Sequence, residues 1–248
     1  MTMSSYRAAP RDGHLERVKR IFGCVRKFTH FKTRFRTEVP DLTAFDNSKS
    51  EDWRNAACGD TEEDVPEDAP PPLGTPVAMT HHFDANLMHN VVDGKAVTGC
   101  VHFINETPIM WHSKKQGTVE TATHGAEFAS ARTCMEQIAD LRNTLQCLGA
   151  DPGPVGHVFG DNEAMINSSK FPHAQLKKRH DILSFHCVRS IIARRHPAIN
   201  HLTSKSNVAD VVSEHWSHND VHSLLRPVFN HTGDAGTLHC DDEEWKDD

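Results

Sequence analysis

No stretch of this 248-residue chain approaches the ~18–20 consecutive apolar residues that a membrane-spanning helix requires, so no membrane partner is expected. The first ten residues contain no apolar core of the kind a secretory signal carries, so an intracellular, cytoplasmic setting is expected. The seven cysteines (Cys24, Cys58, Cys100, Cys134, Cys147, Cys187 and Cys240) are odd in number and scattered, and no two form a C-x-x-C. A disulfide framework and a zinc knuckle are therefore both disfavoured, and a reducing compartment fits best. Histidine is plentiful, yet His215, His218 and His222 lack zinc-module spacing, and His180 and His186 do not share a helix face. The chain carries no internal repeat.

The charge is uneven. The formal net charge is −7, but Arg17, Lys19, Arg20, Arg26, Lys27, Lys32, Arg34 and Arg36 make an early basic segment. An acidic stretch follows, and the chain ends in Asp241-Asp-Glu-Glu-Trp-Lys-Asp-Asp248. Global charge thus decides little about a nucleic-acid partner. Within the basic segment, Leu15, Val18, Phe22, Val25 and Phe28 recur at helical spacing and predict an amphipathic helix. Residues 1–37 are read as a basic helical segment and 38–74 as an acidic, Pro-rich linker. A folded domain is expected over 75–217, with an extension and acidic tail over 218–248.

Inside 75–217 the patterning predicts a mixed α/β order led by a three-strand meander. Strands are expected at Val77–Phe83, Ala96–Ile104 and Ile109–Ser113, with Asp93-Gly94 marking one turn and Asn105–Pro108 the next. A long helix should run from Thr123 to Leu148 and stop at Gly149. A fourth strand (Val155–Phe159), a short helix (Asn162–Ser168), a longer one (Leu176–Arg195), a fifth strand (Ala198–Leu202) and a last helix (Asn207–Trp216) complete the series.

Four acids punctuate this order: Asp84 at a strand end, Glu127 about one turn into the long helix, Asp161 after a second strand, and Asp210 on a late helix. A carboxylate at the end of an apolar strand needs solvent or a cation. Any one of them alone reads as a turn residue or cap. Together they suit a two-metal phosphoryl-transfer site, which needs hard oxygen ligands holding ions roughly 3.5–4 Å apart.

Three stretches carry a resemblance. Pro108-Ile-Met-Trp-His-Ser-Lys-Lys-Gln-Gly-Thr-Val-Glu-Thr-Ala-Thr-His-Gly-Ala-Glu-Phe128, Phe159-Gly-Asp-Asn-Glu-Ala-Met-Ile-Asn167 and Val208-Ala-Asp-Val-Val-Ser-Glu214 resemble, in order, blocks of the ribonuclease H domain of copia-type LTR retrotransposon polyproteins. The resemblance covers roughly residues 77–216. The early basic helix resembles the segment joining the polymerase thumb to that domain. What this implies is a ribonuclease H-like α/β fold: a mixed five-stranded sheet flanked by helices, with an N-terminal helical and linker extension. It also implies Asp84, Glu127, Asp161 and Asp210 as catalytic, metal-binding carboxylates for two magnesium ions, with manganese as a substitute. The implied substrate is the RNA strand of an RNA–DNA hybrid. The chain has no Tyr/Phe-x-Asp-Asp signature, so a polymerase region is expected elsewhere in a full-length polyprotein, housed in a virus-like particle if the element is active.

Two departures stand out. The family's Asp-Ala-Asp-Trp-Ala-Gly-Asp is here Asp84-Ala-Asn-Leu-Met-His-Asn90, and its Thr-Lys after the fourth acid is Ser213-Glu214. They motivate an alternative, a catalytically decayed module that only binds nucleic acid or partners. A third reading keeps the fold and changes the substrate, towards a transposase- or exonuclease-like nuclease. Among secondary candidates, Lys114, Lys115 and Gln116 are placed either to contact hybrid phosphates or simply to be solvated. Asn162 is placed to bond a ribose 2′-OH or to cap the next helix. His201 is placed to move a proton, to aid product release, or to serve structure.

Overall fold

A strand buried on both faces must satisfy every side chain it carries, and Met79–Asn86 has two adjacent histidines to place. His81 meets His102 of the neighbouring strand at 2.9 Å, Nδ1 to Nδ1, and His102 Nε2 meets Gln137 Oε1 at 2.9 Å. An amide oxygen only accepts, so His102 carries its proton on Nε2 and accepts on Nδ1, which puts the His81 proton on Nδ1. Both rings are neutral. Burial, the dominant cause, pushes His81 well below the usual imidazole range and His102 down to about 4. His82 stacks on Phe159 at 5.1 Å between ring centres.

The computed structural model describes residues 9–27, 31–33, 35–45, 53, 63, 65–87, 89, 93–153, 156–176, 181–194, 197–216, 224–225 and 229–231. The acidic tail, His218, His222, His180, the basic start expected for the helix after residue 176, and Phe28 lie outside these residues. Two compact units result, 1–34 with 216–248 and 35–215. In the first, helix α1 (Asp12–Lys27) forms where the apolar spacing predicts it, and strand β1 (Phe31–Thr33) pairs antiparallel with the last strand, β7 (Phe229–His231).

The second unit holds β2 (Met79–Asn86), β3 (Val97–Ile104), β4 (Thr107–Lys115), α2 (Thr123–Cys147), β5 (Gly156–Gly160), α3 (Glu163–Lys170), α4 (Ile182–Ala193), β6 (Pro197–His201) and α5 (Asp210–Ser213). The sheet order is β4-β3-β2-β5-β6. The β2–β3 and β3–β4 pairs are antiparallel, and β2–β5 and β5–β6 are parallel. This is the expected mixed five-stranded sheet with a leading meander. α2 lies against β2, β3 and α4, and buries Phe128, Ala131, Cys134, Met135 and Ile138 with Phe83, Val158, Phe185 and Val188.

Local chemistry fixes the turns. Asp93 accepts the Lys95 N–H on its side chain and Gly94 takes φ 66°, as the Asp-Gly turn predicts. The β3–β4 turn is tighter than expected: Ile104 pairs with Thr107, leaving Asn105 and Glu106 between, and Asn105 adopts φ 54°, which Asn tolerates. Pro108 is accommodated because β4 is an edge strand. Gly149 ends α2 with φ 71°.

Two expectations need correction. The last helix is one turn, Asp210–Ser213, rather than Asn207–Trp216, because Asn207 turns the chain with its side chain instead of entering the helix. The 38–74 stretch is not simply a linker. Trp53 is buried in the core, Phe45 packs edge-on against Phe159, and Leu73 bridges to Ala150. Glu63 forms a two-pronged ion pair with buried Arg142, both contacts at 2.8 Å, while Arg142 also donates to the Pro152 and Gly153 carbonyls. A few apolar and charged residues in a polar run suffice to anchor it, which a compositional average hides.

Removing the guanidinium would leave the Glu63 carboxylate and two carbonyls with lost partners, so Arg142→Ala is expected to destabilise the protein by about 3 kcal/mol. The shift in the urea unfolding midpoint measures this.

Candidate metal centre

The parallel register brings two of the four acids together. Phe159 pairs with His82, so two residues further along each strand Asp161 comes beside Asp84. Here an antiparallel meander lies to one side of β2 and parallel strands to the other, and such a switch point is where α/β sheets form ligand crevices. Asp84 lies inside β2 rather than at its last residue, because the strand runs on to Asn86 against β3.

The third acid comes from α2. Its second turn points Glu127 at the end of β2, and Ser130, one turn on, donates its Oγ to the Asp84 carbonyl at 2.6 Å. Small residues make this approach possible: Ala126 and Ser130 are fully buried. Ligand oxygens of Asp84, Glu127 and Asp161 lie within 4.8 Å of one another.

Asp210 stands outside that set but within its field. Its α5 turn packs over β3 at Gly99, the residue paired with Asp84. Ser213, on the same turn, donates its Oγ to Asp84 Oδ2. Asp161 accepts from Ser204 Oγ at 2.7 Å. Neither serine contact is visible in the spacing of the sequence, since each joins residues far apart along the chain.

Crowding sets the electrostatics. Burial first, then the neighbouring Asp161 and Glu214 charges, raise Asp84 to about 6, against an opposing hydrogen bond from Ser213. Burial, Asp84, Asp161 and Glu214 raise Asp210 to about 8. Glu127 is pushed well above the usual carboxylate range by burial and then by Asp84 and Asp161, with Asp210 adding to the effect. Its Oε2 is buried without a hydrogen-bond partner. An all-carboxylate donor set with one orphaned oxygen fits a hard divalent cation better than a soft one.

The secondary candidates divide. Lys114 is exposed on edge strand β4, and Lys115 pairs with Asp93 at 2.6 Å. Gln116, expected to reach nucleic acid, is instead buried: its Nε2 donates to Thr98 Oγ1 at 3.1 Å and to the Ala126 carbonyl at 2.9 Å. It braces the end of β4 against the first turn of α2, a role set by folding rather than by local sequence. Asn162 caps α3, accepting the Met165 N–H at 3.0 Å. His201 Nε2 lies 3.1 Å from the Asp161 carbonyl.

Strand order and converging acids together define a mixed α/β domain with an acidic cluster at the switch point of its five-stranded sheet. The chain is similar to retrovirus-related Pol polyproteins of plant transposons. It is 23% identical over 141 residues, 57% of its length, to the one from transposon TNT 1-94 of Nicotiana tabacum. It is 21% identical over 141 residues to the one from transposon RE2 of Arabidopsis thaliana. The matched stretch is 10% of each polyprotein, so the chain spans about a tenth of the length of the curated relatives it matches. Among solved structures it is similar to an N-terminal RNase H domain from Mycobacterium tuberculosis, with TM-score 0.43 and 15% identity, over 55% of this chain and 91% of that one. RNase H1 from Halobacterium salinarum gives TM-score 0.41 and 15% identity, over 56% and 95%. No family model matches. No helix among the described residues is long and apolar enough to cross a membrane.

Without a cation, the folded chain holds protons on Asp84, Glu127 and Asp210 that the unfolded chain releases near pH ~4. Stability of the chelator-treated protein is therefore expected to fall as pH rises from about 5 through about 8, as these carboxyls ionise against one another. Thermal melts at stepped pH check this; Mg2+ or Mn2+ is expected to flatten the decline, and Asp84→Asn to reduce it.

Proposed function

We propose that this chain is the nuclease domain of a retrotransposon polyprotein, hydrolysing the RNA strand of an RNA–DNA hybrid during reverse transcription. Asp84, Glu127, Asp161 and Asp210 would hold two magnesium ions, or manganese in their place. The observation that carries this reading is the convergence of Asp84, Glu127 and Asp161 ligand oxygens within 4.8 Å of one another. The orphaned Glu127 Oε2 supports it, because a buried carboxylate oxygen without a partner is an atom that a cation satisfies. Divalent ions bound there would lower the pKa of the attacking water and stabilise the leaving oxygen.

The remaining work falls to the protein's own groups. Lys114 offers a positive charge on the sheet edge for a hybrid phosphate, and Lys115 joins it on leaving Asp93. Asn162, with its carbonyl oxygen committed to the α3 cap, has its amide NH2 for a ribose 2′-OH. His201, at the end of β6 with Nε2 on the Asp161 carbonyl, would move a proton or aid product release. The polymerase region belongs elsewhere in the longer polyprotein.

One observation favours a second reading, a module that binds nucleic acid without cutting it. Glu214, where the resembling block has Lys, adds negative charge beside Asp84 and Asp210.

Cleavage of the labelled RNA strand of a hybrid in Mg2+ or Mn2+ tests the proposal. Asp161→Asn is expected to bring cleavage to background, and equal cleavage by that variant would overturn the assignment. Hybrid binding without cleavage in either metal would select the second reading, and cutting of plain duplex DNA would move the substrate class.

A further inference from the structure

The end of β2 is tied to the turn that carries Asp210 by two buried side chains, one on either side of that acid. Asn207 donates Nδ2 to the Phe83 carbonyl at 3.0 Å and accepts the Ala209 N–H on Oδ1 at 3.2 Å. Ser213 donates Oγ to Asp84 Oδ2, and the same Oγ lies 3.3 Å from the Asp210 carbonyl. Asn207 is fully buried and Ser213 is 2% exposed. Gly99 provides the clearance: a Cβ there would come 2.7 Å from the Ala209 carbonyl oxygen and 2.9 Å from Ser213 Cβ.

We propose that Ser213 and Asn207 are positioning residues that lock the Asp84 carboxylate of β2 against the Asp210 turn, making two acids from distant parts of the chain one divalent-cation site. The inference rests on the metal-centre reading above. Its physical basis is orientation. An aspartate side chain has two soft torsions, and repulsion from Asp161 and Asp210 drives Asp84 away from a shared centre. A hydroxyl that donates to one carboxylate oxygen fixes the plane of the group and offsets part of that repulsion. Hydrogen bonds of this kind behind a metal ligand hold its geometry, and each oxygen keeps lone pairs for a cation. Asn207 does the complementary work on the backbone by holding the turn to the strand one residue before Asp84.

Manganese titration of the full chain at neutral pH, read by calorimetry and by loss of the free-ion paramagnetic resonance signal, tests this without any activity measurement. Ser213→Ala is expected to weaken Mn2+ binding on the order of 10–100-fold, whereas Ser213→Thr, which keeps the hydroxyl, stays within about threefold of the parent. Because Ala also removes packing volume, Ser213→Val is compared with Ser213→Thr: the two share a shape and differ in the hydroxyl, so Val should bind as weakly as Ala. Thermal melts run alongside show that each variant is folded. If the parent binds Mn2+ and the Ala and Val variants bind it equally well, the positioning role is wrong. It is equally wrong if Thr loses as much affinity as Val. A parent that binds no Mn2+ removes the metal-centre reading itself, and this inference with it.

Discussion

Repulsion between carboxylates is the constraint on which the rest of the structure turns. Three acids with ligand oxygens inside 4.8 Å of one another oppose the fold that gathers them. At an effective dielectric of about 20, an ionised pair at that separation repels by roughly 3 kcal/mol. The elements that supply these three acids are accordingly anchored by burial. β2 is covered nearly end to end, α2 buries a continuous apolar face beneath it, and β5 is buried at every position. The apolar core holds in place what electrostatics would push apart.

Hydrogen bonds then finish what packing begins. Ser130 on the Asp84 carbonyl, Ser213 on its carboxylate, Ser204 on Asp161 and Asn207 on the Phe83 carbonyl all come from segments remote in sequence. None of the four donors carries a charge of its own at neutral pH. They orient the acids without neutralising them, which preserves the negative potential that a cation would meet. The same domain buries groups of opposite tendency further back along β2, where His81 and His102 are held neutral by burial and share one proton-defined chain to Gln137. The sheet therefore tolerates titratable groups in its middle by denying charge to the histidines, and at its end by raising the acids towards their protonated forms until a cation takes the protons' place.

The segment before the sheet shows how composition misleads. Residues 38–74 are acidic and rich in proline, which predicts a chain that does not pack. Yet Trp53 enters the core, Phe45 meets Phe159, and Glu63 finds Arg142. Average hydropathy describes how much surface a segment can bury, not whether one aromatic or one carboxylate has a complementary site waiting for it.

Periodicity and turn chemistry made the five strands and the long helix legible, and put Glu127 early on that helix and Asp161 just after a strand, because these depend on neighbours in the chain; that β2 runs on past Asp84 and that Asp210 opens a helix of one turn did not follow from them. The same local logic placed Asn162 at a helix start and Gly149 at a helix end. Which acids meet was decided by strand register and by the packing of α2 and α5, so only the folded sheet shows Asp84, Glu127 and Asp161 as one cluster, with Asp210 beside it. Likewise Gln116 reads as a surface polar residue until β4 and α2 close over it, and Ser213 as a minor substitution until its hydroxyl is found on Asp84. A residue's chemistry is written in its side chain. Its partner is set by contacts across long sequence separations, and these exist only after the chain has folded.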